Sequence, residues 1–224
     1  MKVGLQLLAS TLGGIAFWGL LLFLPAGTFD YWQAWVFIAV FIVSTMVPTV
    51  YLAMKYPTAV QRRMTSGPWA ETRLAQRLIM VGLILTVVAV GVVSALDHRF
   101  GWSAPPLAAV VIGNVLVAAG IGLAEFVIVQ NNYAAATITV EADQPLVSTG
   151  LYGLVRHPMY VGALVMMVGT PLALGSYWGL LTSIPGALVF VARITDEEKA
   201  LRHDLDGYVE YTEKVHYRLV PGVW

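Results

Sequence analysis

The chain has no cysteine and little charge: only 12% of its 224 residues are Asp, Glu, Lys or Arg, and 13 basic residues balance 13 acidic ones. A disulfide scaffold and a thiolate metal site are therefore excluded. The balance also speaks against nucleic acid as a partner, since such binding needs a basic excess. Soluble domains carry roughly 25% charged residues. One of this length could not hide a composition that is 58% hydrophobic. Mean hydropathy is +0.74. A multi-span, all-α membrane protein is expected, forming a single domain.

Four apolar runs are long enough to cross a hydrocarbon core of ~30 Å. They cover about Leu5–Pro25, Tyr31–Tyr56, Leu74–Leu96 and Pro106–Gln130. The first is too long for the apolar stretch of a secretory signal, so it reads as a retained span. Tyr31, Trp32 and Trp35 stand where an interfacial aromatic belt would lie. Between the second and third runs, Lys55, Arg62, Arg63, Arg73 and Arg77 face a single acid, Glu71. Positive loops stay in the cytoplasm. Alternation then puts the N-terminus and the stretch after Gln130 on that side, with Gly27–Asp30 and Asp97–Pro105 outside. Residues 1–131 thus form four spans, and residues 132–224 hold the remainder.

The last apolar region, Met159–Ala192, would measure about 50 Å as one straight helix, well beyond the bilayer. Gly169, Pro171, Gly175 and Pro185 interrupt it. A hairpin of two short helices turning near Thr170–Tyr177 fits better. It returns Arg156, His157 and the charged segment from Arg193 onward to one cytoplasmic face. Leu201, Leu205 and Tyr208 suggest the apolar stripe of an amphipathic tail helix on the membrane surface. The expected architecture is a polytopic helix bundle: four full spans, a C-terminal helical hairpin and an amphipathic cytoplasmic tail helix.

Chemistry is concentrated at this end. Nearly half of the charged residues fall between Arg193 and Arg218. Arg193 and Glu197, four apart, share a helix face. Each polar residue also has a plainer reading: Arg156 and His157 as interfacial charges, Glu197 and Glu198 as a solvated face, Tyr208 and Tyr211 as membrane anchors. Their convergence at one mouth favours a site. Glu125 lies inside a span, where ionisable groups are costly and usually functional, yet it is close enough to Asn131 to be an interfacial carboxylate. His98, His157, His203 and His216 show no metal-ligand spacing, so no metal is expected. A nucleophile elbow, a P-loop and a dinucleotide-binding glycine fingerprint are absent from the sequence.

The run Leu146-Val-Ser-Thr-Gly-Leu-Tyr152, then Val155-Arg-His-Pro-Met-Tyr-Val-Gly162, then Arg193, Glu197, Glu198, Leu201, Tyr208, Tyr211 and Arg218-Leu-Val-Pro221 resembles the isoprenylcysteine carboxyl methyltransferase family. It is similar also to the wider group of integral-membrane methyltransferases that includes phospholipid N-methyltransferases. The Arg-His-Pro-Xaa-Tyr core is shared with membrane sterol reductases. The resemblance implies S-adenosylmethionine as cofactor, held in a cytosolic pocket, with a lipophilic or prenylated substrate entering from the membrane lipid. It implies that Gln144, Pro145, Leu146, Val147 and Tyr152 line the adenosine end, and that His157, Pro158, Met159 and Tyr160 contact methionine and ribose. Glu197 would bind the donor, plausibly its ammonium group. The family often has His at the position of Gln144. Arg193 would face the substrate, and Glu198 matches the second glutamate of the family tail.

Methyl transfer from a sulfonium is an in-line displacement that depends on alignment and a dry site. A carboxylate acceptor is already a nucleophile, and Arg193 could orient it through a bidentate pair. A lipid amine must lose a proton, for which Glu198 or Tyr160 are candidates. A prenylcysteine-like carboxylate is the leading acceptor. A lipid-amine N-methyltransferase, an NADPH-dependent sterol or isoprenoid reductase and a non-enzymatic transport or structural protein are the alternatives.

Overall fold

The computed structural model describes residues 2–65, 71, 73–134, 140 and 144–224. Among the described residues, eight α-helices follow one another: α1 Lys2–Ala26, α2 Trp32–Lys55, α3 Pro57–Thr65, α4 Leu74–Phe100, α5 Leu107–Gln130, α6 Pro158–Ala173, α7 Tyr177–Asp204 and α8 Tyr208–Lys214. Helices α1, α2, α4, α5 and α7 are long and apolar enough to cross a membrane. The four runs read from hydropathy correspond to α1, α2, α4 and α5. The polarity is that of a membrane protein: Leu12, Leu24, Val47, Leu85, Val115 and Leu188 face outward. The chain is a multi-pass membrane protein.

The predicted hairpin is present, turning at Leu174–Ser176 with Gly175 in the left-handed region (φ +71°). Its arms are unequal, which corrects the expectation of two short helices. Helix α6 has 16 residues, whereas α7 has 28 and runs without a break through Pro185 and past Arg193 to Asp204. A proline within a membrane helix is tolerated because neighbouring groups re-satisfy the backbone it frees. In α6 the carbonyl that Pro171 frees is that of Met167, and the Ser183 hydroxyl of α7 donates to it at 3.2 Å.

The tail also differs from expectation. Leu201 belongs to α7, Leu205 ends it, and Gly207 (φ +76°) turns the chain into α8, which has only seven residues. Leu205, Tyr208, Tyr211 and Val215 form a buried cluster with Leu146 and Leu201 packed against it. The stripe therefore closes inward on the protein instead of lying along one helix.

Two helix pairs set the frame. Helices α5 and α6 meet through small residues: a Cβ at Gly120 would lie 2.5 Å from the Gly162 carbonyl oxygen, and one at Gly162 would lie 2.6 Å from that of Gly120. Such contacts let backbones approach closely where lipid offers no hydrophobic drive. Helices α4 and α7 pack likewise, with Gly186 against Thr86.

At the end opposite the charges, Asp97 is fully buried. It accepts hydrogen bonds from the Ser103 amide (2.8 Å), the Ser103 hydroxyl (2.5 Å) and the Ser176 hydroxyl (2.6 Å). Beside it, the Tyr31 hydroxyl donates to the Leu174 carbonyl at 2.7 Å. This knot ties the α4–α5 connection to the hairpin turn. Asp97→Asn leaves one acceptor oxygen for three donors and is expected to cost about 1–3 kcal/mol. The readout is the melting temperature in detergent; an unchanged value would show that the knot holds nothing.

Candidate active site

The polar end of the bundle is built by folding back the segment between α5 and α6. Gly150 adopts φ +62°, and a Cβ there would lie 2.5 Å from the Gln130 side-chain amide. The Gln130 oxygen accepts from the Leu151 amide at 3.1 Å. A 3-10 turn, Gly150–Gly153, then delivers Tyr152, and His157 caps α6 ahead of Pro158. Proline at this first helical position gives up an N–H that has no intrahelical partner.

These elements enclose one cavity of about 800 Å³, partly open to solvent. Gln144, Pro145, Leu146, Val147, Tyr152, His157, Pro158, Met159, Tyr160 and Glu197 all line it. The structure thus brings together every residue that the resemblance implied for the donor. Asn131, Tyr133, Ala134, Arg156, Leu201, Leu205, Tyr208 and Tyr211 complete the wall. The first three lie outside the quoted motifs and gave no sequence signal. Helix α3 buttresses them: the Arg62 guanidinium sits 4.4 Å over the Tyr133 ring and donates to the Asn132 carbonyl at 3.3 Å. Glu125 lies outside this cavity and approaches Arg63 of α3 at 3.6 Å.

Arg193 and Glu198 do not line the cavity. Glu198, 3% exposed, is a hub. Its Oε1 accepts from Arg156 Nε at 2.7 Å and lies 3.3 Å from His157 Nε2. Its Oε2 accepts two N–H bonds from Arg218, at 3.0 and 2.9 Å. Arg156 also donates to the Val215 and His216 carbonyls, and the Arg156 and His157 amides donate to the Tyr217 and Arg218 carbonyls. Both Glu198 oxygens are engaged by cations, which leaves no lone pair aimed at a substrate proton. Glu198 thus clamps α7 to the start of α6 and to the tail.

Glu197, one residue earlier, points elsewhere because a single helical step turns the side chain by about 100°. Its Oε2 accepts the Tyr160 hydroxyl at 2.6 Å. Tyr160 in turn accepts from Arg193 Nε at 3.2 Å. Arg193, 2% exposed, also donates from Nη1 to Glu71 Oε1 at 3.0 Å and to the Gln76 oxygen. Glu71, read in the sequence only as the exception in a basic loop, is thus part of this end.

The phenols of Tyr152, Tyr208 and Tyr211 stay protonated. Burial, with Glu197 adding a smaller push in the same direction, raises Tyr152 to about 12, although the amide of Asn131 at 3.3 Å opposes this. Burial likewise raises Tyr208 and Tyr211. Tyr211 spends its hydroxyl on the Tyr152 carbonyl at 2.7 Å. The Tyr208 hydroxyl is buried without a hydrogen-bond partner among the described residues.

A second cavity, of about 550 Å³, opens among the spans and is almost wholly apolar: Trp18, Phe41, Leu83, Val87, Val90, Ala163, Met166, Met167 and Phe190 line it, with Thr86 and Thr170. A ring contact links the two cavities: Tyr160, which lines the first, and Phe190, which lines the second, lie 5.6 Å apart. Phe190 and Arg193 share a face of α7, and Tyr160 and Ala163 share one of α6.

Residues 108–204 match the family model for phospholipid methyltransferase. Through that segment, the chain is similar to the phospholipid methyltransferase family. The segment holds α5, α6, α7 and most of the cavity wall. The chain is also 41% identical over 75 residues to a protein-S-isoprenylcysteine O-methyltransferase of Schizosaccharomyces pombe, covering 33% of this chain and 32% of that protein. It is 31% identical over 93 residues to a Delta(14)-sterol reductase of Mus musculus, covering 39% of this chain and 22% of the reductase. The match thus spans about a third of the first relative's length and less of the second's.

Proposed function

We propose that the protein is an S-adenosylmethionine-dependent methyltransferase that acts on a lipidic acceptor, with the carboxylate of a prenylcysteine-like molecule as the leading candidate. The observation that carries this is the meeting of a polar, glutamate-bearing cavity and an apolar one at Tyr160. The donor fits the first cavity by its chemistry. The carboxylate of Glu197 suits a cationic group, Tyr133, Tyr152 and Leu146 suit a purine, and the orphaned Tyr208 hydroxyl offers a hydrogen bond to a polar ligand atom. When bound, S-adenosylmethionine would supply a methyl group on positively charged sulfur, which passes to the acceptor oxygen as the C–S electron pair stays on sulfur.

The chain's residues do the rest. Leu146, Val147 and Met159 exclude water, which strengthens charge interactions at the reacting end. Tyr160, fixed between Glu197 and Arg193, forms the wall across which donor and acceptor meet. Arg193 stands where the head of a lipid lying in the apolar cavity would arrive, and its fork suits a carboxylate. No proton has to leave a carboxylate acceptor, and Glu198 is already committed to Arg156, Arg218 and His157. The family name and the basic loop keep a second reading alive, a phospholipid amine as acceptor. The basic residues of α3 and its surroundings support a cytoplasmic placement of this end.

The test is S-adenosylhomocysteine binding by calorimetry to purified protein, with Glu197→Ala and His157→Ala. We expect each variant to weaken binding by about tenfold or more, the effect of losing one charge-assisted contact. Unchanged affinity in both would sink the assignment of the cavity. Labelled S-adenosylmethionine offered with carboxylate lipids and amine phospholipids then decides the acceptor. Binding of NADPH in place of S-adenosylhomocysteine would favour the reductase alternative.

A further inference from the structure

Arg193 is not waiting bare for an acceptor. It is 2% exposed, and so is its partner Glu71, whose carboxylate reaches it at 3.0 Å from outside the helices. The arrangement around the pair is built. Gln76 accepts from the same Arg193 nitrogen and donates to Asp196, and Arg73 pairs with Asp196 at 2.9 Å. Arg77 donates to the Glu71 carbonyl at 2.9 Å, which fixes the backbone that carries the acid. The start of α4 thus grips α7 one turn beyond Phe190, at the inner end of the apolar cavity.

A buried guanidinium needs a counter-anion, since an unpaired charge in a low-dielectric site is strongly unfavourable. Glu71 supplies it. A carboxylate acceptor seated in the apolar cavity would present the same group, with the same two oxygens, to the same cation. We propose that Glu71 is an internal competitor: its carboxylate holds on Arg193 the place of the acceptor's carboxylate and so sets how strongly anionic head groups bind. The proposal rests on the carboxylate-acceptor reading above. It assigns Glu71 as a specificity-determining residue, because an ester or a neutral head group has no means of exchanging with it. Binding to a state populated only in part is weakened by that fraction, so removing the competitor raises apparent affinity for anionic lipids alone.

The experiment uses the full chain in phosphatidylcholine nanodiscs. The probes are an N-acylated prenylcysteine with a free carboxylate and its methyl ester, with binding measured directly in the absence of donor. Glu71→Gln is expected to bind the carboxylate about tenfold more tightly than the parent, with ester and S-adenosylhomocysteine affinities unchanged. Glu71→Ala should behave similarly, and added acetate, but not chloride, should bring its carboxylate affinity back down by refilling the vacated place. Carboxylate binding no tighter than in the parent, with S-adenosylhomocysteine binding intact, would overturn the proposal. If Glu71→Gln does not fold, Glu71→Asp decides: it keeps the charge but withdraws it by one methylene, and absence of any gain there also overturns it. Failure of the functional reading shows separately, as absence of S-adenosylhomocysteine binding in the unmodified protein.

Discussion

Glu198→Gln is expected to abolish S-adenosylhomocysteine binding and to lower the melting temperature together. The carboxylate is almost wholly buried and receives Arg156, Arg218 and His157. Removing one partner of a buried ion pair costs about 3–5 kcal/mol, because the remaining charge is stranded. Arg156 is itself 7% exposed, so water cannot take over as its counter-ligand. It also holds the Val215 and His216 carbonyls, and loosening it releases the tail that packs Tyr208 and Tyr211 into the cavity wall. A loss of a hundredfold or more in affinity corresponds to that energy. Arg218→Lys should do less, since a point charge replaces a fork but keeps its sign. A catalytic base would behave differently: Glu198→Gln would then bind S-adenosylhomocysteine normally, melt normally and fail only in turnover. That pattern would refute the clamp.

Gly162→Leu is the second large effect. At Gly162 and Gly120 each helix presses its backbone carbonyl into the space where the other would carry a Cβ, at 2.6 and 2.5 Å. Backbone on both sides leaves nothing flexible to yield, so even alanine must push α5 and α6 apart. Overpacking of this kind costs about 1–3 kcal/mol or more, and in a chain of this size that is a melting temperature lower by roughly 5–10 °C. The effect reaches function, because Tyr160 and Met159 lie within one turn of Gly162 on the same helix. Donor affinity should fall in parallel. Gly19→Ala and Gly122→Ala are the controls, since a Cβ at either position meets nothing within 4 Å. Comparable losses in the controls would mean that glycine content, not the α5–α6 approach, governs stability.

Hydropathy made the spans legible because each crosses the bilayer as a single apolar run bounded by Pro, Gly or charge. The residues that line the cavity were those the resemblance implies, from Gln144 to Tyr160 together with Glu197. The partners of Arg193 were not. Glu71 and Gln76 stand 122 and 117 positions away, and no periodicity within α7 says which neighbour its other faces meet. The two adjacent glutamates had the same difficulty. Their identity is equal in sequence, but the helical step sends Glu197 to Tyr160 and Glu198 to the arginines. Pro185 reads in the sequence as an interruption, whereas α7 continues through it, with Gly186 beside it packed against Thr86 and Met167.

With the function proposed above, the contact between Tyr160 and Phe190 has a pharmacological consequence. A molecule that carries a nucleoside at one end and a prenyl or acyl chain at the other, joined by a linker of a few atoms, would engage both cavities at once. The second contact would be intramolecular, at a millimolar effective concentration for a short flexible linker. Such a bisubstrate ligand could bind far more tightly than either half, and the optimum linker length would report the distance across Tyr160.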